Sequence, residues 1–430
     1  MESVGVGLLG LGTVGSAVAT RLIEHWELLG ERAGATPVLR CVAVRDTVRT
    51  RDIDLKNVRL LGDARAVVDD PSVSILIEAI GGTDPATALI ESALRAGKSV
   101  VTANKAVIAA SGPHLADVAA ANGAGLYFEA AVGAGLPIVA LLSTSLLGDR
   151  IATLDCVING TTNVILTEMR TGKLTFDAAL ADAQARGFAE ADPTLDVEGW
   201  DAAHKLVILS WLAMGVHVEV GSVDRVGIRG VGGDDIRALD QLGYRVRLVA
   251  HAERADDGRV RLSVRPTAVG ARHLLADVDD ADNAVIISSD LAAHVVLRGL
   301  GAGGASTASA VVSDVVNAVR DRGVPRGWAP RAVQRAALLE DEDVDVAGYV
   351  RLRLSRESEG RELVLQALED RGLSVDAAVE LPQGGLIVLT GTAPRAVHDR
   401  AMETLDTLTA VDEIECTLDR VEPNLDKVEP

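Results

Sequence analysis

Ten residues near the start of the chain, "LGLGTVGSAV" at positions 9 to 18, constrain its fold more than any other stretch. Gly10, Gly12 and Gly15 keep the G-x-G-x-x-G spacing. In that pattern the first glycine makes a tight turn, the second admits a pyrophosphate to the backbone, and the third lets a helix lie against its strand. Three glycines in a loop are common, so the flanks decide. "VGVGLL" before them reads as a short buried strand, and "TVGSAVATRLIEHWELLG" after them carries apolar residues at helical spacing and closes at Gly30. Strand, glycine turn and helix together predict a dinucleotide site. Its contacts are expected at Gly10, Gly12, Thr13, Val14 and Gly15, with the phosphates at the helix N-terminus.

From Val4 to Glu129, short apolar runs ("VLRCVAV", "SILIEAI", "SVVTA", "GLYFEA") alternate with helical stretches ("PATALIESALRAG", "GPHLADVAAANG"). Such alternation predicts an α/β, Rossmann-type doubly wound parallel sheet over residues 1–130, completed by about 300–335. Residues 131–300 mix longer helices with alternating runs such as "RVRLVAHAE" and "RVRLSVRPTAV", an α+β substrate domain with antiparallel strands. At its end, "RGLGAGGASTASAVVSDVVNAV" is a second glycine-rich turn into a helix, either returning to the cofactor or serving as a tight connector. After the acidic linker "LLEDEDVDVAG", residues 346–422 read strand, helix, strand, strand, helix, strand, the ferredoxin-like βαββαβ order.

Bulk properties narrow the function. The 430 residues are 48% hydrophobic and 24% charged, enough for buried cores in about three domains at roughly 150 residues each. A formal charge of -20 opposes phosphate backbones and anionic lipid, so neither nucleic acid nor a membrane surface is an expected partner. The acid excess, with lysine at only Lys56, Lys98, Lys105, Lys173, Lys205 and Lys427, fits either a salt-rich cytoplasm or an arginine-favouring genome. Cys41, Cys156 and Cys416 are scattered and odd in number, and the histidines show no metal-binding pair, so neither disulfides nor a transition-metal site is expected. No basic residue precedes Arg21 and no apolar run is long enough to span a bilayer, which predicts a cytoplasmic protein.

Several residues carry candidate chemistry. The second strand runs out at "AVRDTVRTR", where a basic residue accepts a ribose 2'-phosphate and an acidic one holds a 2'-hydroxyl. Arg45 comes first there, so NADP is preferred, with NAD and a plain charged turn left open. Lys105 opens a helix, where the dipole disfavours a cation, and that placement hints at use. "GFAEADPTLDVEGWDAAHKLVILSWLAMG" gathers Glu190, Asp192, Asp196, Asp201 and Lys205. Asp201 and Lys205 stand four apart on a helix apolar nearly all round, so a solvated ion pair is the bland reading and a buried site the sharper one. "CVINGTTNVILTEM" offers amides and hydroxyls from Asn159 to Asn163, either for ligand contact or for capping. Glu129 in "FEAAVGAGLP" reads as a simple turn or as a carboxylate for a hard monovalent cation.

Taken together, "GLGTVG", "EAIGGTDPA", "VVTANKA", "FEAAVGAGLP", "INGTTN", "GFAEADPTLDVEGWDAAHKLVIL" and "TASAVVSDV" resemble homoserine dehydrogenase in order and spacing, from about residue 4 to 330. The resemblance implies NAD(P)-dependent interconversion of L-homoserine and L-aspartate 4-semialdehyde, on the way to threonine and methionine. It implies that Lys205 transfers the proton, that Lys105 lies near substrate and nicotinamide, and that Glu190, Asp196 and Asp201 contact substrate. It places a sodium or potassium ion on Glu129 and the backbone of Val132, Ala134 and Leu136, and brings Gly187 and Gly301 to the cofactor. A homodimer is implied, and the last domain resembles an ACT regulatory module, which implies an amino-acid effector such as threonine. Leu300, Ser306 and Val164 stand where the family often has proline, proline and an aromatic. The rival readings are another amino-acid dehydrogenase of the same fold, or a non-catalytic nucleotide or amino-acid sensor. A sensor has no need of two lysines and several carboxylates in one cleft.

Overall fold

The computed structural model describes residues 2–51, 53–321, 338–339, 344–355, 360–381 and 384–421. Linker residues 340–343, turn residues 356–359, the expected completion of the first domain beyond residue 321, and residue 422 lie outside the described residues. The chain divides into two compact units: Met1–Ile151 with His204–Ser222 and Ser289–Arg335, and Ala152–Ala203 with Val223–Ser288 and Ala336–Pro430.

In the first unit, β1 (Ser3–Leu9), β2 (Thr36–Ala43), β3 (Arg59–Leu61), β4 (Ile75–Glu78), β5 (Ser99–Thr102) and β6 (Leu126–Tyr127) form one sheet in the order β3-β2-β1-β4-β5-β6. Every neighbouring pair is parallel. Its central strands read as continuous apolar runs because both faces are covered. On one face Val6, Leu8 and Ile77 pack with Val18, Leu22, Val311 and Val315. On the other, Leu9, Leu76 and Val100 meet Ile90, Leu94, Val107 and Leu115. Strand order reverses between β1 and β4, and in such sheets ligands lie beyond the carboxyl ends of the strands at that reversal.

Two helices depart from their sequence reading. The one expected from Thr13 to Gly30 ends at Glu24, and a second piece, Trp26–Ala33, follows after His25. Gly30 lies buried inside this second piece, and the stop falls at Gly34, whose φ of 80° makes the left-handed cap that a closing glycine supplies. The helix that Lys105 opens, as read, and the helical stretch read from Gly112 are one element that runs to Ala121 through Pro113. Proline has no N–H for the carbonyl four residues back. His217 Nε2 donates to that carbonyl, on Ala109, at 2.7 Å, and replaces the missing partner.

The second unit holds β7 (Ile151–Val157), β8 (Asp224–Arg225), β9 (Tyr244–Arg254), β10 (Val260–Gly270) and β11 (Asp282–Ser289). The strand β12 (Ala293–Leu300) follows and lies in the first unit's part of the chain. Next come β13 (Asp345–Leu354), β14 (Val375–Leu381), β15 (Gly385–Pro394) and β16 (Val411–Val421). Helices Gly360–Asp370 and Arg395–Asp406 complete the expected βαββαβ order. The sheet of this unit runs β11-β7-β9-β10-β16-β13-β15-β14, with β9 and β10 antiparallel as read. β16 joins β10 in parallel through Thr267 to Asp419, Ala268 to Arg420 and Val269 to Val421, so the C-terminal strands extend the middle sheet. Among the described residues no helix is long and apolar enough to cross a membrane.

A charged histidine is built into this sheet. Burial by itself would lower His251, but Asp155, 2.7 Å from Nδ1, and Glu253, 3.4 Å from Nε2, raise it to about 9 against the opposing Arg261. His273, itself lowered by burial, also feels Asp155. A histidine raised on folding adds stability that is complete below its unfolded value near 6.5 and is lost as pH rises through 9. Chemical denaturation is therefore expected to show a loss on the order of 2 kcal/mol between neutral pH and about pH 10, and His251→Gln should flatten that slope. An unchanged slope in the variant would refute the linkage.

Candidate active site

The glycine turn has the shape that its three positions require. Gly10, with φ of 95°, follows β1 directly, and its N–H donates to the Ala43 carbonyl at 2.9 Å. A Cβ there would sit 2.7 Å from the Ala79 carbonyl oxygen, and one on Gly15 would collide with the Gly10 carbonyl oxygen. Gly12 faces open space, with nothing within 4 Å of where a Cβ would stand. The helix that starts at Thr13 has no acidic residue in its first turn and no side-chain cap, so its first N–H groups are suited to an anion. Gly304, at the head of the helix Gly304–Asp321, touches Thr13 so closely that a Cβ would lie 2.7 Å from its Cγ2. The second glycine-rich stretch, with Gly301 buried in it, thus returns to the first glycine turn.

β2 stops at Ala43, before the charged residues that follow it. Asp46 Oδ1 accepts from the N–H groups of Val48 at 2.9 Å and Arg49 at 3.0 Å, and Arg51 donates to the Arg49 carbonyl at 2.8 Å. The aspartate is thereby turned into its own loop, while Arg45 is exposed at the strand's end.

Lys105 is the first residue of its helix and is half-buried. Asn104 caps that helix by accepting from the Val107 N–H at 3.3 Å and donates from Nδ2 to the Gly82 carbonyl at 2.7 Å. Glu78, a buried carboxyl at the end of β4, is part of the same surroundings, and the sequence reading passed over it. Its signal was there: one acidic residue closing the apolar run "ILIE".

Glu129 opens a short turn, Glu129–Ala131. Its carboxyl accepts from the N–H groups of Val139 at 2.8 Å and Ala140 at 2.7 Å, and its own N–H donates to Asp314 at 2.9 Å. Burial pushes Glu129 up to about 7 against the pull of those N–H donors. Burial, together with Glu129, also drives Asp314 well above the usual carboxylate range. Val132, Ala134 and Leu136 follow in a loop where Ala134 takes φ of 50°. Among the described residues no three His, Cys, Asp or Glu side chains cluster to hold a metal ion.

In the second unit one amide gathers the acidic residues. Asn159 caps the helix Gly160–Thr171 by accepting from the Thr162 N–H at 2.8 Å. Its Nδ2 donates to Asp196 at 2.7 Å and to Asp201 at 2.9 Å. Asn159 thus caps the helix, as one of its readings had it, and also holds two carboxylates. Asn163 is committed elsewhere, donating to the carbonyls of Val278 at 2.7 Å and Asp280 at 3.0 Å. Glu190 is exposed on a loop whose backbone is tied by Gln184 at 3.0 Å, and Gly187 nearby in sequence has φ of 78°.

Lys205 lies in the helix Trp200–Met214, one turn beyond Asp201, and is only 8% exposed. Ala202, Ala203, Leu206, Val207, Ile208 and Leu209 around it in the helix are all buried. A primary ammonium so enclosed, next in helical position to a carboxylate, can hold or release a proton toward a reacting oxygen.

Known proteins resemble this chain over both units. Residues 10–129 match the family model described as the NAD binding domain of homoserine dehydrogenase, and residues 137–316 match the one described as homoserine dehydrogenase. The homoserine dehydrogenase of Bacillus subtilis (strain 168) is 35% identical over 425 residues, which are 97% of this chain and 98% of the relative. The crystal structure of a homoserine dehydrogenase from Thiobacillus denitrificans superposes with a TM-score of 0.93 at 38% identity, covering 98% of this chain and 99% of that one. A hyperthermophilic archaeal homoserine dehydrogenase in complex with NADPH gives a TM-score of 0.61 at 32% identity, covering 74% of this chain and 97% of its own.

Proposed function

The chain belongs to the homoserine dehydrogenase family of NAD(P)-dependent oxidoreductases, and we propose that Lys205 is its proton-transferring residue. The reaction interconverts L-homoserine and L-aspartate 4-semialdehyde, and a bound nicotinamide supplies or takes the hydride. As the semialdehyde carbonyl is reduced, the Lys205 ammonium faces the developing alkoxide, stabilises its charge and gives it a proton. In the reverse direction the same nitrogen takes the proton from the substrate hydroxyl. Lys105 adds a second positive charge near the substrate and the nicotinamide. Glu190, Asp196 and Asp201 hold the substrate ammonium, the last two oriented by Asn159. The observation that carries this assignment is the pairing of Asp196 and Asp201 on one amide, with Lys205 a helical turn beyond Asp201.

The pyrophosphate is assigned to Gly10, Gly12, Thr13, Val14 and Gly15, with Gly187 and Gly301 approaching the cofactor. The exposed Arg45, with Asp46 turned into its own loop, supports NADP over NAD. A monovalent cation is assigned to the Glu129 carboxyl and the backbone of Val132, Ala134 and Leu136. The donor set is all oxygen, as a hard cation prefers, and the buried carboxyl raised to about 7 gains from a neighbouring positive charge. The C-terminal βαββαβ segment is assigned as an ACT-like regulatory domain that takes an amino-acid effector, and the molecule as a homodimer.

One assay series tests these assignments: the appearance of reduced nicotinamide from L-homoserine with NADP or with NAD, in low salt and in molar KCl, with and without millimolar threonine. Faster reduction with NADP, stimulation by KCl and inhibition by threonine are expected. Equal rates with both cofactors would remove the role of Arg45, no response to sodium or potassium salts the cation, and no response to threonine that effector.

A further inference from the structure

We propose that Glu78 and Thr102 are positioning residues that hold Lys105 in place for the reaction, an inference that rests on the role assigned to Lys105 above. β4 and β5 are parallel neighbours, and their last residues, Glu78 and Thr102, stand opposite each other in register. Both side chains are completely buried. Glu78 Oε1 accepts from the N–H groups of Ile80 at 2.9 Å and Gly81 at 3.1 Å, and Oε2 accepts from the Thr102 hydroxyl at 2.6 Å. The same hydroxyl oxygen accepts from the Asn104 N–H at 3.0 Å, and Asn104 Nδ2 donates to the Gly82 carbonyl at 2.7 Å.

These bonds close a ring. It runs from the end of β4 through the loop at residues 80–82 to Asn104, back to Thr102 and across to Glu78. Lys105 is the next residue after Asn104 and begins the helix that Asn104 caps. A helix N-terminus disfavours a cation, so a fixed backbone is needed to keep the lysine at this point. The ring supplies it by tying Thr102 and Asn104, three and one positions before the lysine, to the end of β4 and the loop after it. β4, whose last residue is Glu78, adjoins β1 at the reversal of strand order, and Lys105 follows the next strand, β5. Glu78 here acts through its hydrogen bonds. An amide of the same shape, with its oxygen on the two N–H groups and its NH₂ donating to Thr102, preserves the ring, whereas an apolar side chain opens it.

The test is a mutant cycle on the full chain, reading kcat and KM for homoserine, NADPH affinity by fluorescence and the melting temperature. Thr102→Val and Glu78→Leu are expected to lower kcat by at least about tenfold, because a displacement near 1 Å costs about 10²-fold, with NADPH affinity kept within about threefold. Glu78→Gln should recover most of what Glu78→Leu loses. In a Lys105→Ala background, Thr102→Val should cost less than about twofold more, since there is no lysine left to misplace. The proposal is overturned by a normal kcat in Thr102→Val, by an equal loss in the Lys105→Ala background, or by a Glu78→Gln variant as poor as Glu78→Leu. If Lys105→Ala itself turns over normally, the reading of Lys105 fails. If Lys105→Ala is impaired and Thr102→Val is not, only the positioning role fails.

Discussion

Lys205→Ala is expected to lower kcat by about 10² to 10⁴-fold, the usual worth of a positioned general acid or base, while NADPH affinity stays within about threefold. The argument begins with burial. An ammonium only 8% exposed, on a helix whose neighbouring side chains are buried alanines and branched aliphatics, bears a desolvation cost that an ordinary surface lysine avoids. Such a group is kept where its charge is used. In the proposed role, removing it takes away both the proton and the charge at the alkoxide, and these count in the transition state more than in the ground state. The glycine turn is built from β1 and the helix at Thr13 and owes nothing to Lys205, so nucleotide binding should survive. Lys205→Arg should remain impaired, because a guanidinium keeps its proton at any working pH. Normal turnover with lost NADPH binding would sink the assignment.

Asp235→Ala is expected to destabilise the second unit by about 3 to 5 kcal/mol, the cost of breaking a buried ion pair from one side. Asp235 is 0% exposed and sits in the helix Gly233–Gln241. Its carboxylate accepts from the Gly232 N–H at 2.8 Å, from the Tyr349 hydroxyl at 2.8 Å, and from Arg351 at 2.6 and 3.2 Å. Arg351 also reaches Glu415 at 2.5 Å, so one network ties a helix of the middle segment to β13 and β16. Burial raises the Tyr349 hydroxyl, and Asp235 raises it further, so the phenol stays protonated and serves as a donor to the carboxylate. Truncation would leave a half-buried guanidinium and a buried hydroxyl with fewer acceptors. Asp235→Asn, which keeps one acceptor oxygen, should recover part of the loss. A denaturation curve for Asp235→Ala within about 1 kcal/mol of the parent would show that the network carries no stability.

The legible parts of this chain were those written over a few neighbouring residues. The spacing of Gly10, Gly12 and Gly15 announced the turn, and the apolar runs announced the parallel strands. The alternation in "RVRLVAHAE" and "RVRLSVRPTAV" announced an antiparallel pair, found as β9 and β10. Lys105 was legible at a helix start, but the continuation of that helix through Gly112 and Pro113 was not. Pro113 normally breaks a helix, and here His217, more than a hundred residues away, takes up the freed Ala109 carbonyl. Glu78 went unnamed because its side-chain partner, Thr102, stands 24 residues away on the neighbouring strand.

By itself, then, the sequence determined the order of elements, the glycine turn after the first strand and the residue types available for the reaction, because periodicity and turn chemistry act over a few residues. Only the tertiary structure decided which of those side chains serve one another. Asn159 holds Asp196 and Asp201 across gaps of 37 and 42 residues, Thr102 meets Glu78 across 24, and Tyr349 meets Asp235 across 114. Buried polar groups must find partners wherever the packed chain brings them, and separation along the sequence gives no measure of that distance.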